Sequence, residues 1–157
     1  MSRVLAPVPR WAVYSTWLLS LVGLGLAVYL TVAHFAGSQI LACSDSGLVN
    51  CAKVTTSAQS YFLGVPVAVL GLASFVVFSI LNSPWAWRSS NYAVHVGRVA
   101  LSVGAMAFVL WLIYAELMII NNICLYCTGV HVVTFAIFVV MMRVAPAQLG
   151  ASRSAAQ

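Results

Sequence analysis

Apolar residues in this chain do not alternate and do not keep to one amphipathic face; they continue for twenty residues or more between short polar connections. No charged residue falls between Arg10 and Asp45, and 13–35 is predominantly apolar. About 20 such residues cross a hydrocarbon core as one helix. Runs at 61–81, 92–117 and 123–142 predict three more crossings. The pattern therefore predicts an all-α integral membrane protein: a four-transmembrane-helix bundle occupying 1–157 as a single domain. A long polar loop, 36–60, joins the first two helices, and a small, polar, disordered tail occupies 146–157.

Arg3 and Arg10 also suit the start of a secretory leader, with cleavage after Ala33 or Ala36. The apolar run exceeds the usual core of about 7–15 residues, which favours a retained first span. Trp11, Tyr14 and Trp17 fit an interfacial aromatic belt at its start, and Tyr61, Trp111, Tyr114 and Tyr126 fit one on the other face. Pro66 falls near the first turn of the second span, where a missing N–H costs little. Arg98 lies within the first two turns of the third span and has to snorkel or find a partner. Gly23-x-x-x-Ala27, Gly64-x-x-x-Ala68 and Ala100-x-x-x-Gly104 set small residues one turn apart, a spacing that permits close helix packing.

Composition agrees with this picture. The chain is 63% hydrophobic and 6% charged, against about 25% charged in a soluble domain. A net charge of +5 would point to nucleic acid only if the basic residues clustered, and they do not. Arg3, Arg10, Arg88, Arg98, Arg143 and Arg153 instead mark three segments on one side of the membrane. By the positive-inside rule both termini are cytoplasmic, and the 36–60 loop and the start of the fourth helix face the exported side. All four cysteines fall on that side, where disulfides persist.

The cysteines form two pairs. Cys43 and Cys51 sit in the loop; Cys124 and Cys127 form a Cys-x-x-Cys turn where the fourth helix begins. Asn122 is a suitable N-cap, which would place both sulfurs in the first helical turn, where free N–H groups and the helix dipole favour a thiolate. Two static disulfides are one reading. A zinc site is a second, although neither the seven-residue gap nor a membrane-edge position resembles a structural zinc module. A relay is the third, in which a mobile outer pair passes electrons to a fixed inner pair by thiol–disulfide exchange.

Cys43-x7-Cys51, Ser57, Phe62-Leu63-Gly64-Val65-Pro66 and Cys124-x-x-Cys127, in that order, resemble the vitamin K epoxide reductase family, its bacterial members above all. The resemblance spans nearly the whole chain and implies a four-helix bundle enclosing a quinone of menaquinone, ubiquinone or vitamin K type. It implies that Cys127 faces the quinone with Cys124 as its resolving partner, that Cys51 attacks Cys124, and that Cys43 exchanges with an external thiol protein. Ser57 matches a Ser or Thr near the quinone, on a short helix capping the pocket. His131, four residues after Cys127, stands where vertebrate members carry a quinone-bonding Tyr, and an imidazole can donate the same bond. Ser60 falls about where those members have the pocket's Asn. Some bacterial members carry a fused thioredoxin-like domain; without one here, the partner is expected to be a separate thioredoxin-like protein on the exported side.

The expected activity is thus a quinone-dependent thiol–disulfide oxidoreductase of a bacterial inner membrane, with Cys43, Cys51, Cys124 and Cys127 catalytic and Ser57, His131 and Cys127 at the quinone. No metal is expected. The same cysteines would serve an enzyme running toward reduced vitamin K, and a small transporter or scaffold with static disulfides is the rival from another class. In the disulfide bond formation protein B family the order of the two pairs is reversed. Glu116 could relay a proton or restrain thiolate formation by repulsion, but reads first as an interfacial carboxylate at a helix end and is left out of the site; His34 reads as interfacial, and Lys53 as a solvated loop lysine.

Overall fold

A computed structural model describes residues 8–43 and 47–150, with side chains as far as 146. Arg3, Asp45, Arg153 and the tail beyond 150 lie outside these described residues. Helix α1 (Arg10–Ala36) is followed by a single 3-10 turn and, in the long loop, by the short α2 (Cys51–Thr55). A two-stranded hairpin, β1 (Tyr61–Phe62) and β2 (Val65–Pro66), leads into α3 (Val67–Leu81). After α4 (Pro84–Trp87) come α5 (Tyr92–Tyr114), a π-helical extension over Ala115–Ile120, and α6 (Leu125–Gly150).

Three helical segments are long and apolar enough to cross a membrane: Arg10–Ala36, Tyr92–Ile120 and Leu125–Pro146. The protein is an integral membrane protein on that evidence. The expected second crossing at 61–81 is shorter than its apolar run, because six of those residues fold back as the hairpin and α3 retains 15. Leu63 and Gly64, with φ of 51° and 82°, supply the two positive-φ positions that a tight hairpin turn needs. Pro66 accordingly caps α3 from outside instead of lying in its first turn. Helix α6 runs past the expected end at 142, so 146–150 is helical and not an irregular tail; Pro146 lies inside it.

The helices pack as a four-membered bundle in which α1 lies against α3 and α6, and α5 against α6 and more sparsely against α3. The buried stripe of α1 explains the tight side. Ala12, Thr16, Ser20, Gly23, Ala27, Leu30 and Ala33 recur every three or four residues, and all but Leu30 are small. A Cβ on Gly23 would collide with the ring of Phe75, so the α1–α3 approach depends on glycine. Gly23→Ala is expected to destabilise the bundle by about 1–3 kcal/mol, the usual cost of overpacking. Circular-dichroism melting in detergent checks it, with partial recovery on adding Phe75→Leu.

The other two small-residue spacings play different parts. Gly64 belongs to the hairpin, and Ala100 and Gly104 border a cavity between α3 and α5. Small side chains there leave space and do not draw helices together. Arg98 finds its partners inside the protein: Nε donates to the Leu81 carbonyl at 2.9 Å, the guanidinium stacks over the Trp87 ring, and Nη1 meets His95 Nδ1. The charge thereby closes the C-terminal end of α3, where carbonyls lack helical partners.

Candidate active site

The two cysteine pairs meet because the long loop is stitched to the chain entering α6. Ile123 N donates to Leu48 O at 2.8 Å and Asn50 N to Ile123 O at 3.1 Å, making a parallel bridge between Val49 and Ile123. Cys51 and Cys124 follow directly on the two sides and are both fully buried in one cluster with Leu30, Ala33, Leu41 and Val54. Asn50 caps α2 by accepting from Lys53 N at 2.7 Å. Asn122 does not cap α6 as its position suggests. It donates to Leu48 O at 3.3 Å and accepts from Lys53 Nζ, so Lys53 is a clamp and not a free loop charge.

Cys124 takes the capping position instead. Its sulfur accepts the Cys127 N–H at 3.3 Å, and its carbonyl accepts from both Thr128 N and Thr128 Oγ1. Cys127 is therefore in the first turn and Cys124 just outside the membrane-crossing segment. A hydrogen bond with the Cys127 thiol holds the Cys124 thiol below its ordinary value, against the opposing effect of burial. The N–H groups of Cys127 and Tyr126 act in the same direction, and the nearby Glu116 charge acts against it. The favoured thiolate site is thus the sulfur facing Cys51.

Cys43 and Cys51 form a disulfide, and Cys124 and Cys127 are free thiols. The outer pair was expected to be mobile, yet the chain before Cys43 is tied down. Tyr29 Oη donates to Ile40 O at 2.7 Å and accepts from Ala42 N, and Tyr126 Oη donates to Ala42 O at 3.2 Å. The rings of Tyr29 and Tyr126 lie 4.9 Å apart beneath that segment.

Adjoining this junction, Cys127 opens on an apolar cavity of about 490 Å³ bordered by α1, α3, α5 and α6, and Leu30 and Val54 of the junction cluster border it too. Phe75, Phe108 and Leu112 line it, His131 and Thr134 lie on its α6 wall, and Ser57, Gln59 and Ser60 close it from the loop. Ser57 precedes a 3-10 turn, Ala58–Ser60, and not the longer cap helix expected; its hydroxyl donates to Val54 O at 2.8 Å. His34, expected to be interfacial, also borders the cavity and meets Tyr61 Oη at 3.2 Å.

The model of the vitamin K epoxide reductase family matches residues 15–142, from the first turns of α1 to well inside α6. The chain belongs to the vitamin K epoxide reductase family. Membership makes it an oxidoreductase, of a family associated in general with quinones and thiol chemistry. The cavity suits such a group: it is large, mostly apolar, and bordered by a buried His131 that hydrogen-bonds to no described residue. An imidazole buried without a partner is costly unless a ligand supplies one.

Every site residue expected for a vitamin K epoxide reductase lies at one of two adjoining places. Cys43, Cys51 and Cys124 meet at the loop junction; Cys127, His131 and Ser57 border the cavity. Glu116 was left out of the site. It is buried at 6% exposure, borders the cavity, and its carboxyl accepts the Cys124 backbone N–H. The signal was present: it is the lone carboxylate within an apolar run, and such residues are functional candidates by default.

Proposed function

We propose that this protein oxidises a separate thioredoxin-like protein and passes the electrons through two cysteine pairs to a membrane quinone, so that disulfides form in the exported compartment. The observation that carries the reading is the position of the start of α6 where two places adjoin. Cys124 is buried in one cluster with Cys51, and Cys127, one turn on and packed against that cluster, borders the cavity. Electrons can then cross the α6 terminus with no sulfur travelling far.

In this reading α3 is the fourth crossing, its 15 residues covering about 22 Å as helix with the apolar hairpin completing the span. Both termini are cytoplasmic and the cysteines exported, in a bacterial inner membrane. The partner's thiolate attacks Cys43 and displaces Cys51; a second partner thiol then releases the oxidised partner. Cys51, now a thiolate, attacks Cys124 when the inner pair is a disulfide, and Cys43 resolves the Cys51–Cys124 bond, leaving Cys124 and Cys127 as dithiol. His131 and Ser57 would hold a quinone beside Cys127, and that group would supply the two-electron acceptor that leaves as the hydroquinone. The chain contributes the placement of the sulfurs and a Cys124 thiol poised toward thiolate.

Protein purified in detergent, mixed with reduced thioredoxin-type protein and a short-chain ubiquinone or menaquinone analogue, is expected to form one hydroquinone per partner disulfide. Quinone absorbance and thiol titration read the two products. Partner disulfides that never form, or that form without quinone loss, sink the reading and leave static disulfides as the better account.

A further inference from the structure

We propose that Glu116 is the proton carrier for the inner cysteine pair: it takes a thiol proton as the Cys124–Cys127 disulfide forms and releases it into the cavity. The inference rests on the quinone-linked reading above and goes beyond it, since the cysteines and the pocket leave the protons unassigned.

Disulfide formation from two thiols releases two electrons and two protons, and the electron acceptor must take up both of each to become a hydroquinone. The chemistry is confined to a buried place: Cys124 is fully buried and Cys127 borders an apolar cavity. A proton released there is served by a resident acceptor, because an isolated thiolate in apolar surroundings is costly. Glu116 is placed for that. The π-helical turn Ala115–Ile120 inserts one more residue than an α-turn and buries Ala115 and Glu116 while leaving Leu117, Met118 and Ile119 exposed. Such turns are frequent at functional sites. The chain then reverses through Asn121 at φ 55°, and Asn122 N donates to the Glu116 carbonyl at 3.1 Å. The reversal lays the Cys124 N–H on the Glu116 carboxyl, which also borders the same cavity as Cys127.

A structural carboxylate at this depth would be expected to have a cation. No Lys or Arg pairs with Glu116 among the described residues. The titratable groups around it are Cys124, Cys127 and His131 of α6 and His34 of α1 across the cavity, with Lys53 reached only through Asn122. It is thus the carboxylate that both thiols and the cavity share. In the step, Glu116 as carboxylate accepts one thiol proton while that sulfur becomes the attacking thiolate. As the sulfur–sulfur bond forms, two electrons and the second thiol's proton pass to the quinone-class acceptor, and the carboxylic acid gives its own proton to that acceptor across the cavity, so that two electrons and two protons leave together. Glu116 ends the cycle as it began.

The test compares Glu116→Gln, and Glu116→Asp as a smaller change, with wild type in two measurements. In the first, reduced protein is mixed with quinone in a single turnover and disulfide formation is followed by acid quench and thiol labelling. Gln is expected to slow it at least tenfold and Asp less. In the second, without quinone, ultraviolet thiolate absorbance is titrated in a Cys127→Ala background, where Cys124 is the free thiol. There Gln is expected to move the Cys124 midpoint to lower pH, because a repelling charge has gone. More thiolate with slower oxidation is the signature of a lost proton carrier. A carboxylate that only repelled thiolates would give faster oxidation in Gln, and that result, an unchanged rate, or an unmoved midpoint overturns the proposal. If wild type itself fails to oxidise with quinone, the functional reading fails and not this step.

Discussion

Cys127→Ala is expected to lower quinone-dependent oxidation of a reduced partner by about a thousandfold or more, the scale on which enzymes lose activity when a covalent participant is removed. The reason is positional. Cys127 is the cysteine that borders the cavity, and Cys124, one turn away, is sealed in the cluster with Cys51. Without Cys127, Cys124 can still exchange with Cys51, but the inner pair cannot close as a disulfide. The variant should therefore oxidise one partner at Cys43–Cys51, leave that pair reduced and lose quinone turnover, a separation that thiol labelling and quinone absorbance read in one sample. Full turnover in Cys127→Ala would sink the relay.

Cys51→Ala should have the second largest effect and a visible product. In this variant Cys43 is left as a thiol that can attack the disulfide of the oxidised partner, which gives a mixed disulfide through Cys43, and Cys51, the thiol that would displace the partner by closing the intramolecular bond, is gone. Removing it stops exchange between the outer and inner pairs. In membranes the variant is expected to accumulate a reductant-sensitive adduct joining Cys43 to a thioredoxin-like protein, detected as a mobility shift on a non-reducing gel. Double replacement of Cys43 and Cys51 should abolish the adduct. No adduct from Cys51→Ala in membranes that support turnover by the wild type would remove Cys43 from the partner-facing role. Exchange in wild type leaves little to detect, because Cys51 competes as a neighbouring nucleophile at high effective concentration.

The buried junction has a consequence for both experiments. Cys51 and Cys124 are held by backbone bonds from Leu48 and Asn50 to Ile123, with Asn122 and Lys53 alongside. Exchange at their sulfurs therefore takes place in a site closed to water, which protects a transient bond from stray thiols. The outer disulfide lies nearer the surface, with Cys43 only partly buried. That gradient supports the proposed order of the relay, in which a protein partner would approach Cys43 and this chain's own loop would reach Cys124.

Much of the architecture was readable from residue pattern alone. Uninterrupted apolar runs with scarcely any charge force membrane helices, because hydrocarbon rejects charge and a helix satisfies its own backbone. The Cys-x-x-Cys spacing put two sulfurs within one turn, and the family motif extended to Ser57, with His131 standing where vertebrate members carry a Tyr. Misreadings arose where local chemistry has two solutions. An apolar run does not reveal that Leu63-Gly64 turns back as a hairpin, which shortens α3. Asn122 has the side chain of a cap, yet it serves the loop while Cys124 caps α6. Ala100 and Gly104 read equally well as a packing seam or as room for a ligand, and the neighbouring helix decides which.

By itself, then, the sequence determined that this is a membrane-helical protein of a redox family, and named the residues expected to carry the chemistry. Those properties depend on composition and short-range spacing. Tertiary structure alone decided which sulfur meets which environment: Cys124 against Cys51, Cys127 beside the cavity, and Glu116 turned inward to join them. The physical reason is that these relations span up to about seventy residues of chain and are set by a bridge at Val49 and Ile123 and a π-helical turn after α5, neither of which leaves a periodic trace in the sequence.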